Sequence, residues 1–386
     1  MKENWFSSEE YQARLAAVRA RMESRQLDGL LLFSPANVYY LVGHHSIDSW
    51  EFRALVITPD RDPAFLLFNF ERGRFEASSW LQEVRFYGAT DDPVDELAAL
   101  AGDLGLAAGR IGIEQNATNL NVATYRRIEA RLSRAELVGA DRLVDRIRMV
   151  KSAAELDCVR RAAELTGIGL AAARETVHAG VVDGEIAAAA TAAMFRAGSH
   201  QLVMQPTIAV AGRSGLSHSQ HDGVQARRGD SVFVELSGNW RHYSAPIMYT
   251  TTIGPVDDER NEFLEIAHET AEAIIAHAKP GVRACDLAAR GHAAMRSIED
   301  RLQFHYIFGY SVGISFPPHW IEESLFHIRA TNQEPLQAGM VFHLPLTMRL
   351  LGRTMHTGLL RTVRFLSLSR RDDLRCEDLL RGGFYP

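Results

Sequence analysis

The chain lacks any uninterrupted run of the ~18 apolar residues that a bilayer-spanning helix needs, so no membrane segment is expected. Cysteine is scarce. Cys158, Cys285 and Cys376 are odd in number, widely spaced and without a CxxC pair, which excludes a disulfide framework and a cysteine zinc site. They read as reduced thiols in a cytoplasmic protein. An excess of positive charge is also missing: 42 Lys and Arg stand against 48 Asp and Glu, for a net charge of −6, so there is no electrostatic footprint for nucleic acid. Low-complexity linkers and strong internal repeats are absent as well.

What is present suits two ordinary cores, with 386 residues of which 46% are hydrophobic and 23% charged. The opening MKENWFSSEEYQARL reads as a charged helical start and not as a signal peptide. Tyr11, Leu15, Val18 and Met22 recur at helical spacing, with Ser7 or Ser8 available as N-cap. Short apolar runs (LDGLLLF, RALVITP, PAFLLF, RIGIEQ) then alternate with helical stretches over residues 27–143, which predicts an α/β domain. From Lys151 the chain reads as helical to about Ala197, helped by the alanine-rich EIAAAATAAMFRAG. Strand patterns return at TIAVAG, DSVFVELSG and MYTTTIG, followed by a helix over 259–277 that Pro280 and Gly281 end. The second half is therefore α+β.

Six segments carry a family likeness: LDGLLLFSPANVYYLVG, RIRMVKSAAELDCVRRAAELT, GDSVFVELSGNWRHYSAPIMYTTTIG, AKPGVRACDL, GYSVGISFPPHWIE and GMVFHLP. Together they resemble the creatinase/aminopeptidase P/prolidase family over nearly the whole chain. The resemblance implies a creatinase-type N-terminal α/β domain at 1–148 and a pita-bread catalytic domain at 149–386. It also implies a homodimer, because family sites are often completed by a neighbouring N-terminal domain. Members that are metallopeptidases hold two divalent ions with two aspartates, a histidine and two glutamates. In this register those positions are Glu235, Pro246, Tyr310, Pro345 and Arg361, so five positions hold one carboxylate. Proline offers no side-chain donor, and the resemblance therefore implies a metal-free site with no cofactor.

The same comparison nominates the site. By itself a glutamate on a strand of period two, such as Glu235 in SVFVELSG, would face water; its place in the motif implies a catalytic carboxylate. His218, eleven residues before Gly229, matches a family catalytic histidine. Tyr310 sits between glycines that permit close approach, and its hydroxyl is a candidate substrate contact. Tyr243 in YSAP, Trp320 and Glu322 in PPHWIE, and His343 in VFHLP fall in blocks similar to ectoine-hydrolase-like members of the family. They complete the list of candidate substrate contacts with Arg361, which would attract a carboxylate and repel a metal. Tyr249, His319 and Ile321 depart from those blocks. Each nominee also has a plainer reading as a core or surface residue. The implied activity is metal-independent hydrolysis of a C–N bond in a small cyclic amidine or guanidino compound. The alternatives are a biosynthetic enzyme acting on another amidine or imine, and a non-catalytic binding module.

Overall fold

A computed structural model describes residues 5–47, 50–216, 218–322, 326–350 and 365–367. The chain divides into two compact units, Met1–Arg148 and Met149–Pro386.

The first unit is built on a six-stranded mixed sheet. Its strands are β1 (Gly29–Leu32), β2 (Ala54–Ile57), β3 (Ala64–Phe68), β4 (Val84–Tyr87), β5 (Arg110–Ile113) and β6 (Glu136–Gly139), in the order β4-β3-β2-β1-β5-β6. The connecting helices are α1 (Ser8–Ser24), α2 (Pro35–Val42), α3 (Arg72–Ser78), α4 (Pro93–Asp103), α5 (Val122–Arg131) and the single turn α6 (Asp145–Arg148). The Ser7 side chain accepts the Glu10 N–H at the start of α1, and the expected apolar stripe of that helix is buried. The short central strands are apolar on both faces, as they must be with helices on either side. Buried Glu114, just past β5, accepts the N–H groups of Phe33 and Ser34 at 2.7 Å each and so fastens the end of β1.

In the second unit, α7 (Ala153–Thr176) begins with a reciprocal capping box between Ser152 and Glu155. The sequence predicts one helix on to Ala197. The structure breaks it after Thr176 and restarts it as α8 (Asp183–Arg196). Gly180 at φ 96° and β-branched Val177, Val181 and Val182 favour the break, and the buried Asp183 carboxylate fixes it by accepting the N–H groups of Gly184, Asp222, Gly223 and Val224. Strands β7 (Thr207–Val210), β8 (Ser231–Trp240) and β9 (Tyr243–Thr252) form an antiparallel set, with Glu235 paired to Thr207 on one side and Met248 on the other.

Helices α9 (Asp258–His277) and α10 (Ala284–Met295) follow. Then come β10 (Leu302–Gln303), β11 (Gly309–Phe316), β12 (His319–Ile321), β13 (His327–Ile328), β14 (Val341–His343), β15 (Arg349–Leu350) and β16 (Phe365–Ser367). The main sheet runs β16-β14-β11-β9-β8-β7, with β12 and β13 also paired to β11. Val232, Val234 and Leu236 pack with α7 and α8, while Phe342 and Leu344 pack with α9 and α10. Because strand side chains alternate, Phe233, Glu235 and His343 take the side opposite those helix-packed neighbours. No described helix is long and apolar enough to cross a membrane. The tail from 368 lies outside the described residues, as do Arg361 and Cys376.

Candidate active site

Glu235 lies in the middle of β8 with only 6% of its surface exposed. Burial raises its pKa from 4.5 to about 7, since the charged carboxylate loses water and no cation among the described residues offsets that loss. Around it, Ala209, Phe233 and Met248 form an apolar patch, and the Thr347 hydroxyl points at the Met248 sulfur from 3.8 Å. The strand alternation that singles out Glu235 also carries Phe233, a member of this patch that motif reading passes over.

Tyr310 is the second residue of β11, and its hydroxyl accepts a hydrogen bond from Trp320 Nε1 at 3.1 Å. Burial holds this phenol protonated, and the negative charge of Glu235 pushes in the same direction, so the two groups are within electrostatic reach. His343 stands directly across the ladder from Tyr310, with ring centroids 5.3 Å apart at 68°. It is fully buried, burial pulls its pKa down to about 3, and neither ring nitrogen has a hydrogen-bond partner among the described residues. The imidazole is therefore neutral. Glu235, Tyr310, Trp320 and His343 form one constellation: a protonatable carboxyl beside an un-ionised phenol, an indole donor and a neutral imidazole.

Other nominees do not join it. The Tyr243 hydroxyl donates to Glu155 Oε1 at 2.8 Å and ties the β8–β9 hairpin to the start of α7. Glu322 is buried and paired with Lys151, whose Nζ lies 3.0 and 2.9 Å from its two oxygens. The long Lys151 stem reaches it from before α7, and nothing in the motif signals that pairing. His218 is exposed in a left-handed turn at φ 57°, without a hydrogen bond to Glu235. Arg361 lies outside the described residues.

A dinuclear metal centre does not fit the residues in place. Pro246 and Pro345 lack side-chain donors, and the Tyr310 phenol is held un-ionised by burial. Among the described residues no three His, Cys, Asp or Glu side chains gather as a metal-holding group.

Comparison with known proteins places this geometry in a lineage. The profile of metallopeptidase family M24 matches residues 157–365, and that of the creatinase/prolidase N-terminal domain matches 14–150. The chain belongs to metallopeptidase family M24. Its units are thus a creatinase-type α/β domain and a pita-bread domain. Ectoine hydrolase of Halomonas elongata is 25% identical to this M24 protein over 366 residues, covering 88% of this chain and 89% of the relative. Creatinase of a Bacillus species is 25% identical over 344 residues, covering 87% and 82%. Among solved structures, the prolidase from Thermococcus sibiricus superposes with a TM-score of 0.80 at 18% identity, covering 95% of this chain and 99% of that one. That last likeness establishes the fold alone.

Proposed function

We propose that this M24 protein is a metal-independent hydrolase of a C–N bond in a small cyclic amidine, similar in action to ectoine hydrolase. The observation that carries the reading is Glu235: one buried carboxyl with a pKa about 7 stands where the family's first metal ligand would be, among residues that cannot hold the ions. Peptide hydrolysis in this fold calls on ions to make hydroxide and polarise a neutral amide. An amidinium is already cationic and its central carbon already electrophilic, so a carboxylate can replace the ions.

On this reading the ionised Glu235 pairs with the amidinium and takes a proton from the attacking water. A C–O bond forms as the water oxygen adds to the amidinium carbon. Glu235 then returns the proton to the departing ring nitrogen and the C–N bond breaks; as the added hydroxyl becomes the amide carbonyl, its proton passes through the regenerated carboxylate to the released amine, so that amidinium and water give an acyclic amide and an ammonium. A pKa near the working pH suits a group that must accept and then donate. The un-ionised Tyr310 hydroxyl and neutral His343 add hydrogen bonds without competing for the cation. The apolar patch of Ala209, Phe233 and Met248 strengthens each charge contact by excluding water. The same reading makes the protein a cytoplasmic homodimer whose partner is a small molecule, with neither nucleic acid nor membrane involved.

The test is direct. Incubation with ectoine, hydroxyectoine and creatine, followed by mass spectrometry, is expected to show ring opening of an ectoine by the wild type, slowed about 100-fold or more in Glu235→Gln. Silence towards all three in folded protein would overturn the assignment.

A further inference from the structure

The two family profiles end at residue 150 and resume at 157, so Lys151 falls between them. Four contacts converge on it. Its backbone N–H donates to the Gly339 carbonyl at 3.0 Å, at the entry to β14. Its ammonium holds both oxygens of Glu322 at the exit of β12 and also reaches the Met149 carbonyl at 3.3 Å. Its stem lies over Gly313 of β11, where a Cβ would come within 2.5 Å of Glu322 Oε1 and 2.8 Å of Lys151 Cε. Gly339 is matched in the same way: it sits at φ 93°, and a Cβ there would stand 2.8 Å from the Lys151 carbonyl.

The three strands meeting at Lys151 are the ones that carry Tyr310, Trp320 and His343. Glu322 lies two residues after Trp320, whose indole N–H is the donor to the Tyr310 hydroxyl. Both side chains of the ion pair are only 1% exposed. A buried pair of this kind adds little stability over an apolar pair of similar volume, because desolvation offsets the attraction. Its directional contacts do set geometry: a bidentate ammonium–carboxylate contact and a backbone bond hold three chain segments at one distance from one point.

We propose that Lys151, through Glu322, is the positioning residue of this site, holding β12 so that Trp320 keeps the Tyr310 hydroxyl aimed at the ligand beside Glu235. Its consequence for turnover rests on the hydrolase reading above; its consequence for geometry does not.

Removing one partner strands a buried charge and lowers stability by itself. The decisive variant therefore replaces both, Lys151→Met with Glu322→Leu, alongside each single change. In the ¹⁵N-labelled protein, the Trp320 indole N–H signal is assigned by its loss in Trp320→Phe. In the double variant this signal is expected to move upfield and broaden while the thermal midpoint stays within a few degrees of wild type. With ectoine as probe, kcat is expected to fall about 100-fold, the scale of a misplaced catalytic group, with KM changed no more than a few fold. An indole signal unmoved in the double variant overturns the proposal, as does a kcat equal to wild type. If the wild type does not turn over ectoine, the indole signal alone decides the positioning role, and that failure counts against the hydrolase reading only.

Discussion

Glu235 ties the site to the stability of the protein through one proton. Its folded-state pKa, about 7, lies above the 4.5 of the exposed group, so the folded state binds the proton more tightly than the unfolded chain does. The resulting stabilisation is complete below about pH 4.5 and is lost as pH rises through about 7, when the carboxylate ionises without water around it. Its full size is roughly 3 kcal/mol, because each tenfold gain in proton affinity on folding is worth about 1.4 kcal/mol. Glu235→Gln carries no such proton. Relative to wild type, its thermal midpoint is expected to rise by several degrees between pH 5 and pH 8, and a pH-independent difference would contradict the raised pKa. The same substitution is expected to lower turnover by about 100-fold or more, the usual worth of a general acid–base group, as measured by initial rates on the substrate found. Gaining stability while losing activity is the signature of a carboxyl kept buried for chemistry.

At the scale of elements, the β8–β9 hairpin owes its placement to α7. Gly238 on β8 approaches that helix so closely that a Cβ would stand 2.7 Å from the Leu165 Cβ and 2.8 Å from the Ala162 carbonyl oxygen. Helix backbone cannot give way as a flexible side chain can. Gly238→Ala is expected to cost about 1–3 kcal/mol by urea unfolding, and an unchanged midpoint would argue against the close approach. At the end of the same hairpin, Tyr243→Phe removes the hydroxyl that donates to buried Glu155. It is expected to cost a further 1–3 kcal/mol, on the order of a buried acceptor left short of its donor. These losses act on the strand pair that presents Glu235: the sheet is held from the helix side, and Glu235 lies on the opposite face.

For the whole molecule, metal content is the sharpest prediction. With Pro246, Tyr310, Pro345 and Arg361 at four ligand positions, purified protein is expected to contain well under one equivalent of manganese, cobalt, iron or zinc per chain. Chelation is expected to leave turnover intact. Elemental analysis returning one or two ions per chain, with activity lost on their removal, would refute metal independence. Light scattering is expected to return twice the mass of the chain, and a monomer at working concentration would count against the dimer.

Local information made much of this protein legible. Alternation on β8, the N-cap of α1 and the glycine-punctuated turns are short-range consequences of side-chain size and backbone freedom, and a family likeness follows from such patterns along the whole chain. The identity of the residues at the ligand positions is likewise a matter of sequence. Environment is not, because it is made by segments far apart. Only packing buries Glu235 enough to lift its pKa, leaves His343 neutral and without a hydrogen-bond partner among the described residues, and brings Trp320 to Tyr310. It also turns the Tyr243 hydroxyl to Glu155 and gives Glu322 to a lysine 171 residues away. Desolvation and hydrogen-bond direction are properties of three-dimensional neighbourhoods. The order of residues determined which groups were available, and the tertiary structure decided which of them are engaged in holding the frame and which are buried beside Glu235.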